Sequence, residues 1–422
     1  MRKILIVGAG QCGLLLGHGL LRAGGYEVTI LSARTADEIR QARPTSTQVM
    51  FGPALEIERT YDLDQWADET PAIGGLHLTV ATPPSGDRLD IFGTLDRPAG
   101  STDQRVKMAA WLELFEERGG ILHTMGVSTR DLDAITESGR YDLVVVAAGR
   151  SELTALFDPD PTRSPHTRPQ RALAAAYVHG INRDPDTDVL PNVAFTLLPG
   201  LGELILIPAL TTTGPCDILF WEAVPGGPLD VFDDHPAPAE HLRRAVGLIR
   251  DYTPWLYQRC SNLTLTDPRA TLAGRYTPTV RHAIGELSSG GLVLGAADVT
   301  ISNDPIAAQG ANTAARCAAA YLTAVLDHGT ATFDRDWMTA TFERFWTDTG
   351  QHVTAWTNQM LQQPEHLQRV LRAATSHPEV ANHLVNGFAH PSDLGWLMTP
   401  EAADHYLSQI APSTTAPVAN SR

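Results

Sequence analysis

The chain has 422 residues, of which 43% are hydrophobic and 19% charged, and its formal net charge at pH 7 is −16. Because a single hydrophobic core stops growing at about 250–300 residues, this length predicts two lobes. The acidic surface would repel nucleic acid and anionic lipid, and no Lys/Arg-rich run reverses the sign locally. Neither nucleic acid nor a membrane is therefore expected as a partner.

The four cysteines are widely spaced, with no CxxC pair and no His/Cys cluster at metal-ligand spacing. This pattern indicates free thiols in a reducing compartment and predicts no metal site. No apolar stretch approaches the roughly 18–20 residues that span a bilayer. The sequence begins on a strand-like run and not on a secretory signal, so a cytoplasmic protein is expected.

The first thirty residues carry the strongest local pattern. Residues 4–7 (ILIV) are a short apolar run, typical of a strand buried in a parallel sheet, and they lead directly into GAGQCG (8–13). A helix is predicted over 14–23 and a second strand over 27–31. The order strand, GxGxxG, helix, strand predicts a dinucleotide site.

The three glycines of this motif have separate tasks. Gly8 permits the tight turn, Gly10 lets the backbone approach a pyrophosphate, and Gly13 lets helix and strand pack closely. The helix N-terminus then faces the phosphates. The second strand lacks the usual acidic residue for the ribose. Arg34 follows that strand and is predicted to contact the adenosine or its phosphate; the alternative is a solvated surface arginine.

Two later segments are predicted to return to the same nucleotide. A buried strand within 141–150 ends in Ala-Ala-Gly, and a second, within 291–298, ends at Asp298. An aspartate at that place suits the hydroxyls of a ribityl chain. Pro305 and the small residues after it would aim the N-terminus of an Ala-rich helix (313–326) at the pyrimidine edge of a flavin. Together the three segments predict FAD instead of NAD.

These segments resemble the aromatic-ring hydroxylase class of FAD monooxygenases, which share the fold of p-hydroxybenzoate hydroxylase. That class reads GD…P…G in the third segment, where this chain has Ala297 in place of the glycine. Over nearly its whole length the chain most resembles the oxygenase component of styrene and indole monooxygenases. The segments that carry this resemblance are GAGQCGLLLG (8–17), Arg43 with Thr47, Asp103-Gln104-Arg105, 164–173, PGLGELILIPAL (199–210), DPIAAQGAN (304–312) and the helix with Trp346 and Trp356.

The resemblance implies a set of site residues. Together with Pro305, the residues expected to hold FAD are Gly8, Gly10, Gly13, Arg34, Arg105, Asp298, Gln309, Gly310 and Asn312. Arg43, Ser46 and Thr47 would lie beside the isoalloxazine ring, where no side-chain nucleophile is expected. The expected substrate pocket consists of Ser46, Gln48, Met50, Ile73, Leu76 and Ala99. Five of these match the indole-type members, and Leu76 is an apolar near match where the styrene type has a histidine.

Membership also implies a reaction. Reduced FAD (FADH2), supplied by a separate NADH-dependent flavin reductase, would react with O2 to give a C4a-hydroperoxide that epoxidises indole and styrene-like alkenes. The family often forms homodimers. Two alternatives stay open: a one-component NAD(P)H-dependent aromatic hydroxylase of the same fold, and a non-catalytic flavin or nucleotide sensor. A flavin halogenase would carry a lysine-bearing WxWxIP element, which the sequence lacks.

The predicted architecture is α/β with two lobes and a helical region. A Rossmann-like FAD-binding lobe with a parallel sheet is expected from 1–50, 100–165 and 275–330. A substrate lobe with a mixed or antiparallel β-sheet is expected from 51–99 and 166–274. Residues 331–411 are predicted to form a C-terminal helical region, and 412–422 a disordered tail.

Overall fold

A computed structural model describes residues 1–83, 87–149, 152–183 and 192–410. The predicted tail at 412–422 lies outside these residues. The strands are β1 (Arg2–Val7), β2 (Tyr26–Ser32), β3 (Ile73–Thr82), β4 (Asp87–Ala99), β5 (Ile121–Thr124), β6 (Leu143–Val146), β7 (Ala172–His179), β8 (Val193–Leu198), β9 (Gly202–Thr211), β10 (Gly214–Ala223), β11 (Thr264–Leu265), β12 (Thr271–Gly274), β13 (Thr279–Val280), β14 (Ile284–Glu286), β15 (Leu292–Gly295) and β16 (Ile301–Ser302).

The helices frame these strands and dominate the C-terminal third. They are α1 (Gln11–Ala23), α2 (Ala36–Arg40), α3 (Gly52–Thr60), α4 (Gln104–Glu117), α5 (Thr129–Glu137), α6 (Pro238–Tyr252), α7 (Pro254–Cys260), α8 (Gly310–Asp327), α9 (Arg335–Phe345), α10 (Gln351–Gln362), α11 (Glu365–Ala374), α12 (Pro378–Ala389) and α13 (Pro400–Ser408). Among the described residues, no helix combines the length and apolarity needed to cross a bilayer.

A six-stranded sheet has the order β14-β15-β6-β1-β2-β5, and every neighbouring pair in it is parallel except β14 with β15. Its central strand β1 is covered on both faces. Ile4 and Ile6 pack with α1, α4 and α8, whereas Leu5 and Val7 pack on the opposite side with Leu132 of α5. Burial on both faces explains why β1 reads as an unbroken apolar run.

An eight-stranded mixed sheet has the order β11-β7-β10-β9-β8-β3-β4, with β12 also paired to β7. Neighbours in it are antiparallel except β3 with β8. Alternate residues of β9 face opposite layers: Ile205 and Ile207 pack with the C-terminal helices, whereas Leu204 and Leu206 pack with α6 and α7. The predicted α/β class with a parallel sheet, a mixed sheet and C-terminal helices is therefore confirmed.

The C-terminal helices also protect the edge of the mixed sheet at β4. Side-chain oxygens of Asn382 and Asn386, on α12, accept hydrogen bonds from the backbone N–H groups of Thr94 and Asp96 at 2.8 and 2.9 Å. An unpaired strand edge otherwise offers a template for association with another chain. Helix α12 is thereby fastened beside the mixed sheet, where it also contributes to the cavity described below.

Candidate active site

The three segments that the sequence predicts to share one nucleotide meet at a single edge of the parallel sheet. They follow the carboxyl ends of β1, β6 and β15, which are neighbours. The backbone N–H of Ala147 donates to the carbonyl of Val7 at 2.8 Å, and that of Ala296 donates to the carbonyl of Val146 at 2.9 Å. Ligands of open α/β sheets bind outside the carboxyl ends of the strands.

The three glycines of the first turn have different surroundings. Gly8 adopts a φ of +119°, and a Cβ there would lie 2.8 Å from the carbonyl of Ala147. A Cβ on Gly13 would lie 2.1 Å from the carbonyl oxygen of Gly8, so helix and turn are in close contact. A Cβ on Gly10 would meet no atom within 4 Å. Gly10 therefore borders open space at the N-terminus of α1.

Asp298 lies where the ends of β6 and β15 approach each other. A Cβ added to Gly149 would come within 2.4 Å of the Asp298 Cβ, so only a glycine fits at that point. The Asp298 side chain itself is exposed. Ala297, which stands where the related class has a glycine, adopts a left-handed φ of +51°. For a residue with a Cβ this conformation costs about 1–2 kcal/mol.

Helix α8 presents its N-terminus to the same edge. The helix begins at Gly310, three residues before the predicted start. Gly310 is exposed, and a Cβ on it would meet no atom within 4 Å. The first N–H groups of a helix have no partner within the helix, and their partial positive charge attracts an anion. Pro305 lies in the short 3-10 turn (Pro305–Ala307) that leads into this helix.

Asn312, on α8, forms hydrogen bonds with the backbone of the segment before α3. Its side-chain oxygen accepts from the backbone N–H of Phe51 at 2.9 Å, and its amide nitrogen donates to the carbonyls of Val49 at 2.7 Å and Ala308 at 2.9 Å. The side chain is fully buried. In these positions Asn312 holds the backbone around the site, and its side-chain hydrogen-bonding capacity is largely used by protein groups.

Gln309 has one unused polar atom. Its amide nitrogen donates to the carbonyls of Ala307 at 3.0 Å and Phe388 at 2.8 Å. Its side-chain oxygen is buried and has no hydrogen-bond partner among the described residues. A buried acceptor without a partner is costly, and the pyrimidine ring of a flavin offers an N–H donor. The residues at this edge therefore fit FAD: two open glycines, a helix N-terminus and an unpartnered acceptor.

Arg105, predicted to contact FAD, is deeply buried in an ion-pair network. Its guanidinium contacts the carboxylate of Asp103 at 2.8 Å and that of Asp267 at 2.9 Å, and it also bonds Thr211. A longer hydrogen bond of 3.4 Å reaches the carbonyl of Ala42. These contacts anchor the chain next to Arg43, while a direct contact of Arg105 with FAD stays a prediction.

Arg34 and Arg43 both have exposed side chains, at the end of β2 and in the irregular segment before α3 respectively. Ser46 and Thr47 are half-buried in the same irregular segment. The hydroxyl of Tyr177, on the mixed sheet, donates to the carbonyl of Ser46 at 2.9 Å. Contacts of these four predicted residues with a flavin stay predictions.

The six predicted substrate residues fall on two sides of the segment 46–51. Ser46 donates to the side chain of Gln48, whose amide donates to the carbonyl of Thr102. Met50 pairs through its backbone with Gly100 and packs in the core of the parallel sheet. Ile73 pairs with Ala99 across β3 and β4. Ile73, Leu76 and Ala99 belong to one core cluster, on the opposite side of the segment from Met50.

An apolar cavity opens on the other side of this segment. Thr47, Val49 and Phe51 alternate along the segment with Ser46, Gln48 and Met50. The first three of these residues line the cavity together with Leu76. Pro305 and Ala308 close it at the α8 end. None of its lining residues has an ionisable side chain. The cavity thus lies between the mixed sheet and the turn that leads to α8.

The sequence did not single out most of this lining. The aromatic residues concerned are Phe195 on β8, Phe220 on β10 and Phe388 on α12. In the sequence they read as ordinary core positions, because a buried strand and a cavity wall have the same apolar pattern. The signal that could have found them is the alternation within β9 and β10, which places Ile205, Ile207 and Phe220 on one face.

Known proteins resemble this chain over almost its full length. Styrene monooxygenase StyA of Pseudomonas fluorescens is 29% identical over 429 residues, covering 98% of this chain and 100% of that protein. A second StyA, from a Pseudomonas species, is 28% identical with the same coverage. A family model for the substrate-binding domain of styrene monooxygenase A matches residues 149–259.

Solved structures share the fold at low identity. The flavin-dependent brominase Bmp2 covers 97% of this chain and 100% of its own, with a TM-score of 0.61 and 16% identity. The tetrameric form of 2-methyl-3-hydroxypyridine-5-carboxylic acid oxygenase covers 90% and 97%, with a TM-score of 0.62 and 13% identity. Identities this low show the fold alone. The full-length match to the two StyA proteins and the match to the family model support a FAD-dependent monooxygenase of the styrene monooxygenase type.

Proposed function

We propose that this protein is the oxygenase component of a two-component monooxygenase that epoxidises indole and, more slowly, styrene-like alkenes. The observation that carries the proposal is the apolar cavity between Thr47 and Pro305, which adjoins the α8 N-terminus and has no ionisable lining residue. Transfer of an electrophilic oxygen to a carbon–carbon double bond needs no side-chain nucleophile. It needs a dry, apolar space beside the cofactor.

The cofactor would be held by the edge where the three segments meet. Gly10 and the N-terminus of α1 would bind the pyrophosphate, and Asp298 the ribityl hydroxyls. Gly310 and Gln309 would meet the pyrimidine ring, with the helix end stabilising negative charge there. When bound in its reduced form, FAD would supply the two electrons that activate O2.

The remaining residues would position the substrate and exclude water. The chain has no second GxGxxG motif for a tightly held nicotinamide, which supports the supply of reduced FAD by a separate NADH-dependent reductase. Phe195, Phe220 and Phe388 would surround a flat aromatic substrate with apolar surface. Leu76 keeps this wall apolar where styrene-type members of the family have an imidazole, and this difference supports the indole preference.

The direct test supplies the purified protein with chemically reduced FAD and O2, and with indole and styrene in separate and competing assays. We expect indole to be consumed faster than styrene oxide is formed, with blue pigment accumulating from indole. A clear preference for styrene would refute the indole assignment. A parallel assay with NADH and oxidised FAD should show no turnover until a flavin reductase is added; unaided NADH oxidation would instead indicate a one-component hydroxylase.

Two variants test whether the substrate binds in the cavity or on the Gln48 side of the segment 46–51. Leu76→His places an imidazole in the cavity wall, so the ratio of indole to styrene turnover should fall while flavin affinity is kept. Gln48→Val removes the hydrogen bond to Thr102 on the other side of the segment. We expect it to lower stability and both activities together, with an unchanged ratio. An altered ratio in Gln48→Val alone would place the substrate on the Gln48 side.

A further inference from the structure

A cluster of four charged side chains is buried where the mixed sheet meets the segment before α8. Arg171, Glu203, Glu222 and Asp304 are 7%, 0%, 0% and 3% exposed. Arg171 forms a bidentate ion pair with Glu203, at 2.7 and 2.8 Å. Glu222 lies directly opposite Glu203 in the β9–β10 pairing. Neither carboxyl oxygen of Glu222 has a hydrogen-bond partner among the described residues.

The charges of this cluster do not balance if every group is ionised. One guanidinium would then face three carboxylates, and the excess negative charge would be buried without compensation. The bidentate contact with Arg171 favours the ionised form of Glu203. Burial raises the pKa of Glu222 well above its usual range, and the nearby carboxylates of Asp304 and Glu203 raise it further. Burial and the neighbouring carboxylates therefore both favour the neutral carboxylic acid form of Glu222.

Asp304 is the member of the cluster that lies directly before the turn leading into α8, next to the proposed FAD site. Its carboxylate accepts the backbone N–H of Ile306 at 3.2 Å and so caps the short turn before α8. The adjacent Pro305 lines the apolar cavity. Burial raises the pKa of Asp304 to about 7, with Arg171 acting in the opposite sense. A metal ion does not explain the cluster, since the described His, Cys, Asp and Glu side chains form no group of three able to hold one.

We propose that Glu222 and Asp304 form a buried proton-holding pair, in which Glu222 stays neutral and Asp304 takes up a proton from solvent when an anion binds at the α8 N-terminus. The carboxylate of Asp304 then becomes a carboxylic acid, and no other bond changes. The second part rests on the proposed function, because reduced FAD is the anion concerned. An anion near Gly310 repels a carboxylate in the same segment, and by linkage the two events favour each other.

The neutral acid can be tested without any flavin. Infrared spectra of the full chain at pH 8.5 should contain the C=O stretch of a buried carboxylic acid, and Glu222→Gln should remove it. Asp90→Asn, which changes a half-buried carboxylate elsewhere in the same sheet, should leave the band in place. A wild-type spectrum without this band, or a band that survives in Glu222→Gln, would overturn the inference that Glu222 is neutral.

A measurement of proton uptake tests whether Asp304 becomes protonated when reduced FAD binds. Reduced FAD is added anaerobically to weakly buffered protein at pH 8, and a pH indicator reports the protons taken up for each flavin bound. We expect a measurable fraction of a proton in the wild type and in Asp90→Asn, and a clear loss in Asp304→Asn. Equal uptake in all three would refute the linkage. Failure to bind FAD would refute the proposed function together with the uptake step, while the infrared band would still decide the state of Glu222.

Discussion

Replacing Glu222 by glutamine should change the pH dependence of folding. The two side chains have nearly the same shape, and glutamine is neutral at every pH. In the folded chain Glu222 is fully buried opposite Glu203, and burial raises the pKa of its carboxyl. In the unfolded chain the same carboxyl has its ordinary pKa of 4.5. Folding above that pH therefore takes up a proton wherever the folded carboxyl stays neutral.

The size of the effect follows from linkage. A carboxyl with a raised folded-state pKa contributes stability that is complete below its unfolded pKa and is lost as the pH rises. Each pH unit above the unfolded value costs about 1.4 kcal/mol. If Glu222 stays neutral over the whole range, the wild type should lose about 4 kcal/mol of unfolding free energy between pH 5 and pH 8 relative to Glu222→Gln. Comparing two pH values cancels any difference in packing between the acid and the amide.

The measurement is urea unfolding of the flavin-free protein at pH 5 and pH 8, followed by tryptophan fluorescence. Glu203→Gln is the matched control, because it alters the opposite residue of the same strand pair. That substitution breaks the ion pair with Arg171 and should cost about 3–5 kcal/mol of unfolding free energy, while Glu222 remains and the loss of stability from pH 5 to pH 8 should persist. If wild type and Glu222→Gln change in parallel between pH 5 and pH 8, Glu222 is ionised in the fold and the reasoning fails.

Four other substitutions test the cofactor edge. Gly13→Ala should unfold or severely destabilise the protein, because its Cβ would overlap the Gly8 carbonyl, whereas Gly10→Ala should fold normally and weaken FAD binding; thermal unfolding and flavin fluorescence separate the two, and equal effects would contradict the assigned roles. Asp298→Ala should raise the dissociation constant for FAD about tenfold with little change in stability, since the side chain is exposed; unchanged affinity would remove Asp298 from the site. Asn312→Ala should lower the unfolding free energy by about 2–4 kcal/mol, because it leaves the N–H of Phe51 and the carbonyl of Val49 without partners; a loss below about 1 kcal/mol would mean that water replaces the amide.

Much of the backbone geometry at the proposed cofactor edge could be predicted from the sequence. The glycines at 8, 10 and 13 act through local backbone geometry, so the motif predicts their conformations and contacts. The segments that end at Gly149 and Asp298 each follow a buried strand, and parallel strands bring their carboxyl ends to one edge. The start of α8 was predicted to within three residues, because the Ala-rich run that follows Pro305 is typical of a helix.

The substrate side was harder to predict. Side chains along an extended segment alternate between two faces, and the sequence does not say which face meets the cavity. The predicted set Ser46, Gln48 and Met50 lies on one face, whereas Thr47, Val49 and Phe51 line the described cavity. Only the pairing of Met50 with Gly100 and the contacts of Asn312 decide this orientation.

By itself, then, the sequence determined the α/β class and predicted a dinucleotide edge that holds a flavin, because each depends on short runs whose backbone conformation is set by neighbouring residues. The tertiary structure alone decided which apolar residues form a cavity wall and which form core. It also assembled the cluster of Arg171, Glu203, Glu222 and Asp304 from four separate segments. The protonation of Glu222 depends on burial and on charges distant in the chain, and these exist only after folding.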